Sequence, residues 1–146
     1  MRETRGGFLI SQIKQIQGRV FDSLLQKAGI EEFNGAQGRI LYVLWQEDNL
    51  PIIELSKKTG LAKTTLTSML DRMEEREFLK RVPDSHDRRQ LRIVLTAKAK
   101  ALNDSYNEVS DEMSRIFYEG FSDEEIEGFE KHLDKILKNL TKQESK

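Results

Sequence analysis

The chain has 146 residues, 37% of them hydrophobic and 34% charged, with no cysteine and a formal net charge of −1. That length holds one domain or a small domain with an added assembly element, and the missing cysteines exclude disulfides and thiolate chemistry. No apolar run reaches the roughly 20 residues that span a bilayer, and Met1 to Gly7 lacks the apolar core of a signal peptide, so a soluble cytoplasmic protein is expected.

Leu9, Ile13, Ile16, Val20 and Leu24 recur at helical spacing, which predicts a long first helix over about residues 8–28, stopped at Gly29. Asn34 is an N-cap for a second helix carrying Ile40, Leu41, Leu44 and Trp45. Asp48-Asn49 breaks that helix, and Pro51 fits the first turn of a short third one with Ile52, Ile53 and Leu55. After the turn at Lys57-Lys58-Thr59-Gly60, the stretch Leu61–Glu74 forms a further helix with Leu66, Met69, Leu70 and Met73 as its apolar stripe. Two short helices joined by a Gly-containing turn are a helix-turn-helix, whose second helix enters a DNA groove.

Beyond Phe78 the period changes to two. Leu79–Val82 and Leu91–Leu95 read as strands joined by the polar loop Pro83–Gln90, a hairpin wing with Arg88 and Arg89 near its tip. Thr96 then caps a long helix running through Leu102, Tyr106, Val109, Met113 and Ile116 to about Phe117. Gly120 ends it, and Ser122-Asp-Glu-Glu125 is a capping box, with Phe121 and Ile126 placed as a hydrophobic staple. The last stripe is Ile126, Phe129, Leu133, Ile136, Leu137 and Leu140. These terminal helices are more apolar than a small winged-helix core can bury, which predicts a two-fold dimer.

The outer face of the Leu61–Glu74 helix is unusual, because Lys63, Thr64, Thr65, Thr67, Ser68, Asp71 and Arg72 stand where a solvated helix normally carries Glu and Lys. Short hydroxyl side chains admit a large flat partner and can bond phosphates or base edges. Taken alone, that face is better read as an ordinary surface helix, and the rest of the chain must decide. Charge distribution bears on this: residues 51–100 carry 12 Lys and Arg against 7 Asp and Glu, whereas residues 101–146 carry 6 against 12. A basic middle on a neutral chain is the footprint of DNA contact, since counterion release acts at the contact surface. A guanidinium at the wing tip suits the negative potential of a minor groove.

The motifs resemble those of the MarR/SlyA family of winged-helix transcriptional regulators. The family's Asp-x-Arg, five residues, Leu-Thr pattern is met by Asp87, Arg89, Leu95 and Thr96; Asn34-Gly-Ala-Gln37 is similar to its Thr-x-x-Gln start of the second helix. Leu55–Leu61 and Lys63–Glu75 resemble its helix-turn-helix, and the order of elements matches over about residues 8–140. The resemblance implies a homodimer on a pseudo-palindromic operator, usually a repressor, often released by a small aromatic or amphipathic effector bound between the lobes. It also implies that Asp71 pairs with Arg89 to fix wing against helix, and that Asp87 braces the loop. Departures lie at Ala62, where a capping Asp or Asn is frequent, at Ser68, where many relatives have Arg, and at Glu77 and Ser85, which replace a common glycine and a common proline.

The expected architecture is mainly α (α+β): a winged helix-turn-helix with a two-stranded β wing over residues 34–100, and a helical dimerisation lobe from residues 1–33 and 101–146. The expected function is sequence-specific binding of double-stranded DNA by Lys63, Thr64, Thr65, Thr67, Ser68, Arg72, Arg88 and Arg89, with Asp71 and Asp87 bracing the wing. A winged-helix protein-interaction module is the alternative. His86 and His132 are the only histidines and no phosphate loop or nucleophile motif is present, so neither an enzyme, a metal site nor a cofactor is expected.

Overall fold

The computed structural model describes residues 2–146. Its contacts divide the chain into two compact units, Met1–Asp111 and Glu112–Lys146. In the first, α1 (Gly6–Lys27) ends where Gly29 turns left-handed at φ +79° and the Ile30 amide closes back on the Leu25 carbonyl at 2.8 Å. Gly29 thus stops the helix as its sequence position implies, and Ile30 is delivered into the core. Then α2 (Gly35–Gln46) opens with a complete capping box, in which the Asn34 carboxamide accepts the Gln37 amide and the Gln37 side chain accepts the Asn34 amide.

Next come β1 (Leu50–Pro51), α3 (Ile52–Thr59) and α4 (Lys63–Glu75), with Gly60 left-handed at φ +76° between the two helices. The hairpin is β2 (Leu79–Pro83) and β3 (Leu91–Leu95), antiparallel with Leu79 opposite Leu95 and Pro83 opposite Leu91. The sheet has one strand more than the pattern predicts. Leu50 pairs with Ile93 and Pro51 with Arg92, giving the order β1-β3-β2 with β3 in the middle. Two residues, one of them Pro, carry no periodicity from which such a strand can be read.

The core of this unit joins α1, α2, α3, α4 and the sheet: Leu25, Ile40, Leu44, Leu55, Leu66 and Leu70 are all at most 1% exposed. Tyr106 is its aromatic hub, with ring centroids of Trp45 at 5.1 Å, Phe21 at 5.6 Å and Phe33 at 6.0 Å. Gly38 permits this closeness, since a Cβ there would lie 2.7 Å from the Tyr106 ring.

The long helix expected from Thr96 to Phe117 is interrupted. Thr96 caps a single turn, α5 (Ala97–Lys100), and α6 (Asn103–Phe117) starts afresh after Ala101-Leu102. The reason is tertiary. The Trp45 indole N–H donates to the Ala99 carbonyl at 3.1 Å, taking the acceptor that the Asn103 amide would use in a continuous helix, and the Leu102 amide shares the same carbonyl at 3.1 Å.

In the second unit, Gly120 is left-handed at φ +86° and the Ser122/Glu125 capping box is complete at the start of α7 (Asp123–Glu144). Phe121 rests against Tyr118 with centroids 5.9 Å apart, and the Tyr118 hydroxyl donates to Glu130 at 2.7 Å. Burial and that carboxylate push the phenol up to about 12. α7 has no buried residue. Among the described residues no helix is long and apolar enough to cross a membrane.

Candidate nucleic-acid interface

The apolar stripe of α4 fixes which residues it shows. Leu66, Leu70 and Met73 are fully buried, so Lys63, Thr64, Thr65 and Ser68 are turned outward and exposed. Ala62 caps α4 with no side-chain bond, and the first intrahelical bond runs from the Leu66 amide to the Ala62 carbonyl. The amides of Lys63, Thr64 and Thr65 therefore have no acceptor among the described residues, in a turn that carries no acidic side chain. Thr67 is different. It is half-buried and its hydroxyl donates to the Lys63 carbonyl at 2.8 Å, so only its lone pairs face outward.

Arg72 is exposed one turn beyond Ser68 on the same helix face, and it also lines an open cleft of about 670 Å³ with Asp22, Gln26, Glu75 and Arg76.

The wing tip carries the exposed cations. Arg88 makes no ion pair among the described residues, and Arg89 is 92% exposed with its Nε 3.1 Å from Asp87 Oδ1. The Asp71–Arg89 pair implied by the family resemblance is not formed. Asp71 instead takes Arg81 Nη1 at 2.6 Å, and Glu74, one turn further along α4, takes Arg81 Nη2 at 2.7 Å, Nε at 3.0 Å and the Arg81 amide at 3.1 Å. A guanidinium on β2 is nearer to α4 than one at the loop tip, and two carboxylates three residues apart match its fork. The bonds from Arg81 hold the Glu74 carboxyl below its usual range, and Glu74 in turn raises Arg81. Asp71 thus joins helix to wing through Arg81, whereas Asp87 binds within its own loop, to the Arg89 amide and side chain.

Sequence reasoning missed the second fastening entirely. Arg92 on β3 donates through Nε to Asn49 Oδ1 at 2.9 Å, through Nη2 to the Asn49 carbonyl at 2.6 Å and through Nη1 to Asp84 Oδ2 at 2.9 Å. Asp84 also accepts the His86 amide at 2.7 Å and the Asp87 amide at 3.1 Å. The His86 amide most of all, then Arg92, lower its carboxyl to about 2. Asp48 completes the set by accepting the Leu95 amide at 2.9 Å and the Asn49 amide at 2.7 Å. Strand alternation alone could have marked Arg81, half-buried beside exposed Lys80, as turned inward. Nothing local marks Arg92, whose partner Asn49 lies 43 residues away.

Known proteins share the fold that carries these residues. Residues 33–91 match the profile of the MarR family. The uncharacterized HTH-type transcriptional regulator YsmB of Bacillus subtilis is 39% identical over 93 residues, 64% of each chain. TtmR of Methylorubrum extorquens, also an HTH-type transcriptional regulator, is 36% identical over 58% of this chain and 42% of its own. The chain thus spans less than two thirds of the length of these curated relatives. A mutant MarR from E. coli complexed with operator DNA superposes with a TM-score of 0.80 at 23% identity, covering 90% of this chain and 92% of that one. The S. aureus MepR–DNA complex gives 0.81 at 24%, covering 94% and 99%. The family resemblance read from the sequence motifs is borne out, and the winged-helix fold with it.

Proposed function

We propose that this chain, a MarR-family winged helix over residues 33–91, regulates transcription by binding double-stranded operator DNA as a homodimer. One observation carries the reading: α4 exposes Lys63, Thr64, Thr65 and Ser68 beside an uncapped helix start, and the adjoining wing holds Arg88 and Arg89 out into solvent. α4 lies in a major groove, with its bare amides and Lys63 on phosphate and the threonine hydroxyls and Ser68 at base edges. Arg88 and Arg89 reach the neighbouring minor groove, and Asp71 and Asp87 brace the wing. Arg72, on the cleft flank, meets the backbone at the groove's edge.

Residues 34–100 form the DNA-binding lobe in this reading, and residues 1–33 and 101–146 the dimerisation lobe. The exposed apolar faces of α1 and α7, with Phe8 71% and Leu140 63% accessible, support assembly with a second copy. Two-fold symmetry then matches a pseudo-palindromic operator with half-sites one helical turn apart, about 34–36 Å. The dimer acts in the cytoplasm as a repressor and not as an enzyme, and a small aromatic or amphipathic effector seated in the cleft beside Arg72 releases it.

The test is a salt-dependent titration of the protein's own upstream DNA. Lys63→Ala and Arg89→Ala each weaken binding and flatten the log–log salt slope by about 0.9, one neutralised phosphate charge apiece. Unchanged binding in both variants rules the surface out, and a salt-independent association points to a protein partner.

A further inference from the structure

We propose that Arg92 is a positioning residue for DNA recognition: clasped by Asn49 and Asp84, it fastens the root of the wing to the turn before β1 and so sets where Arg88 and Arg89 point. The proposal rests on the DNA-binding reading above. Nε, Nη1 and Nη2 of Arg92 each donate inside the protein, at 2.6–2.9 Å, so all three guanidinium nitrogens already have a partner before any phosphate is met.

The clasp bears on the loop because Asp84 serves both. The carboxylate that holds Arg92 also gathers the His86 and Asp87 amides, and the Asp84 amide closes the loop on the Gln90 carbonyl at 2.9 Å. The hairpin cannot supply this order by itself. Its last rung pairs Leu91 with Pro83, which has no N–H to donate. On the other side, Asn49 holds a left-handed φ of +59°, which Asn tolerates better than most residues, and this presents both its carbonyl and its Oδ1 to the guanidinium. β3 is thereby fixed at Arg92 through Asn49 and at Leu95 through Asp48, while β2 is fixed to α4 through Arg81. Of these attachments only the one at Arg92 reaches the loop that carries the wing-tip arginines.

Simple charge and the clasp predict opposite signs for one variant. Asp84→Asn removes a negative charge from a DNA-binding surface and by charge alone tightens binding; with the clasp weakened, it loosens binding. Fluorescence anisotropy on the upstream duplex across a salt series, with thermal melts to confirm folding, separates them. We expect Asp84→Asn and Arg92→Ala each to weaken binding about tenfold, equivalent to ~1.4 kcal/mol, with the salt slope unchanged. Arg92→Lys keeps the charge without the fork and does not restore affinity, and the double variant is no worse than either single one. Arg88→Ala, by contrast, flattens the slope by about 0.9. Binding by Asp84→Asn as tight as wild type or tighter overturns the clasp, and so does a flattened slope in Arg92→Ala. Should Arg92→Ala fail to fold, Asp84→Asn decides alone. A wild-type protein that binds no duplex brings down the DNA-binding reading and the proposal together, whereas wild-type binding with unaffected variants brings down the clasp alone.

Discussion

α4 and α7 obey the same pattern rule and end in opposite states. The stripe of α4 is packed into the core, with Leu66, Leu70 and Met73 at 0% exposure and Met69 partly buried beside them, whereas α7 buries no residue and leaves Leu137 62% and Leu140 63% accessible. Apolar periodicity states that a helix face favours burial; it does not state what buries it. In α4 the answer lies within the chain, so its outer face is defined by subtraction and becomes the candidate reading surface. For α7 the exposed leucines favour a second copy as the cover.

The sharpest way to break this contrast is to charge the open face. Leu137→Glu with Leu140→Glu is expected to halve the mass seen by light scattering, from two chains to one, and to abolish tight operator binding while leaving the Met1–Asp111 unit folded. A wild-type monomer at micromolar concentration breaks the comparison outright.

The same substitution at two glycines sharpens it. Gly38→Ala forces a Cβ to 2.7 Å from the Tyr106 ring and is expected to cost about 1–3 kcal/mol in denaturant melts, as overpacking does. At Gly128 of α7 a Cβ meets nothing within 4 Å, and Gly128→Ala is expected to gain about 0.5–1 kcal/mol from helix propensity.

A smaller effect lies at the end of α4. Glu77 holds φ +65°, where its Cβ is crowded, and the Phe78 amide closes on the Met73 carbonyl at 3.0 Å. Glu77→Gly keeps that closure and is expected to raise the melting temperature, the gain reaching at most about 1 kcal/mol once glycine's extra chain entropy is counted.

The smallest effect is an acid one at the wing root. The Asp84 carboxyl lies at about 2 against an ordinary 3.8, so its stabilising bonds are fully present above 3.8 and are lost as pH falls through about 2. Amide shifts of His86 and Asp87 followed by NMR are expected to move through that window in the wild type, and Asp84→Asn is expected to remove the transition.

Much of this was legible because it is local. Asn34 with Gln37, Ser122 with Glu125, Gly29 and Gly60 each fix a helix end through bonds or a backbone conformation confined to a few residues. Lys63, Thr64, Thr65 and Ser68 followed from the stripe, since burying Leu66, Leu70 and Met73 leaves the opposite face outside. Long-range partners were not legible. The break at Ala101-Leu102 depends on Trp45, the partner of Asp71 is Arg81 and not Arg89, and Arg92 meets Asn49 across 43 residues. Arg72 shows the same limit: its place on the wheel is readable, but the cleft it lines is not.

The amino-acid sequence by itself determined the kind and order of the main helices and of the hairpin, most of their caps, and the outward face of α4. Periodicity, capping and glycine conformation act within a turn or two of the chain. Only the tertiary structure decided which cations are left to face a partner. Arg81 and Arg92 are engaged by carboxylates and carbonyls brought from other elements, while Arg88 and Arg89 are left at the tip, and that division arises only when distant segments meet.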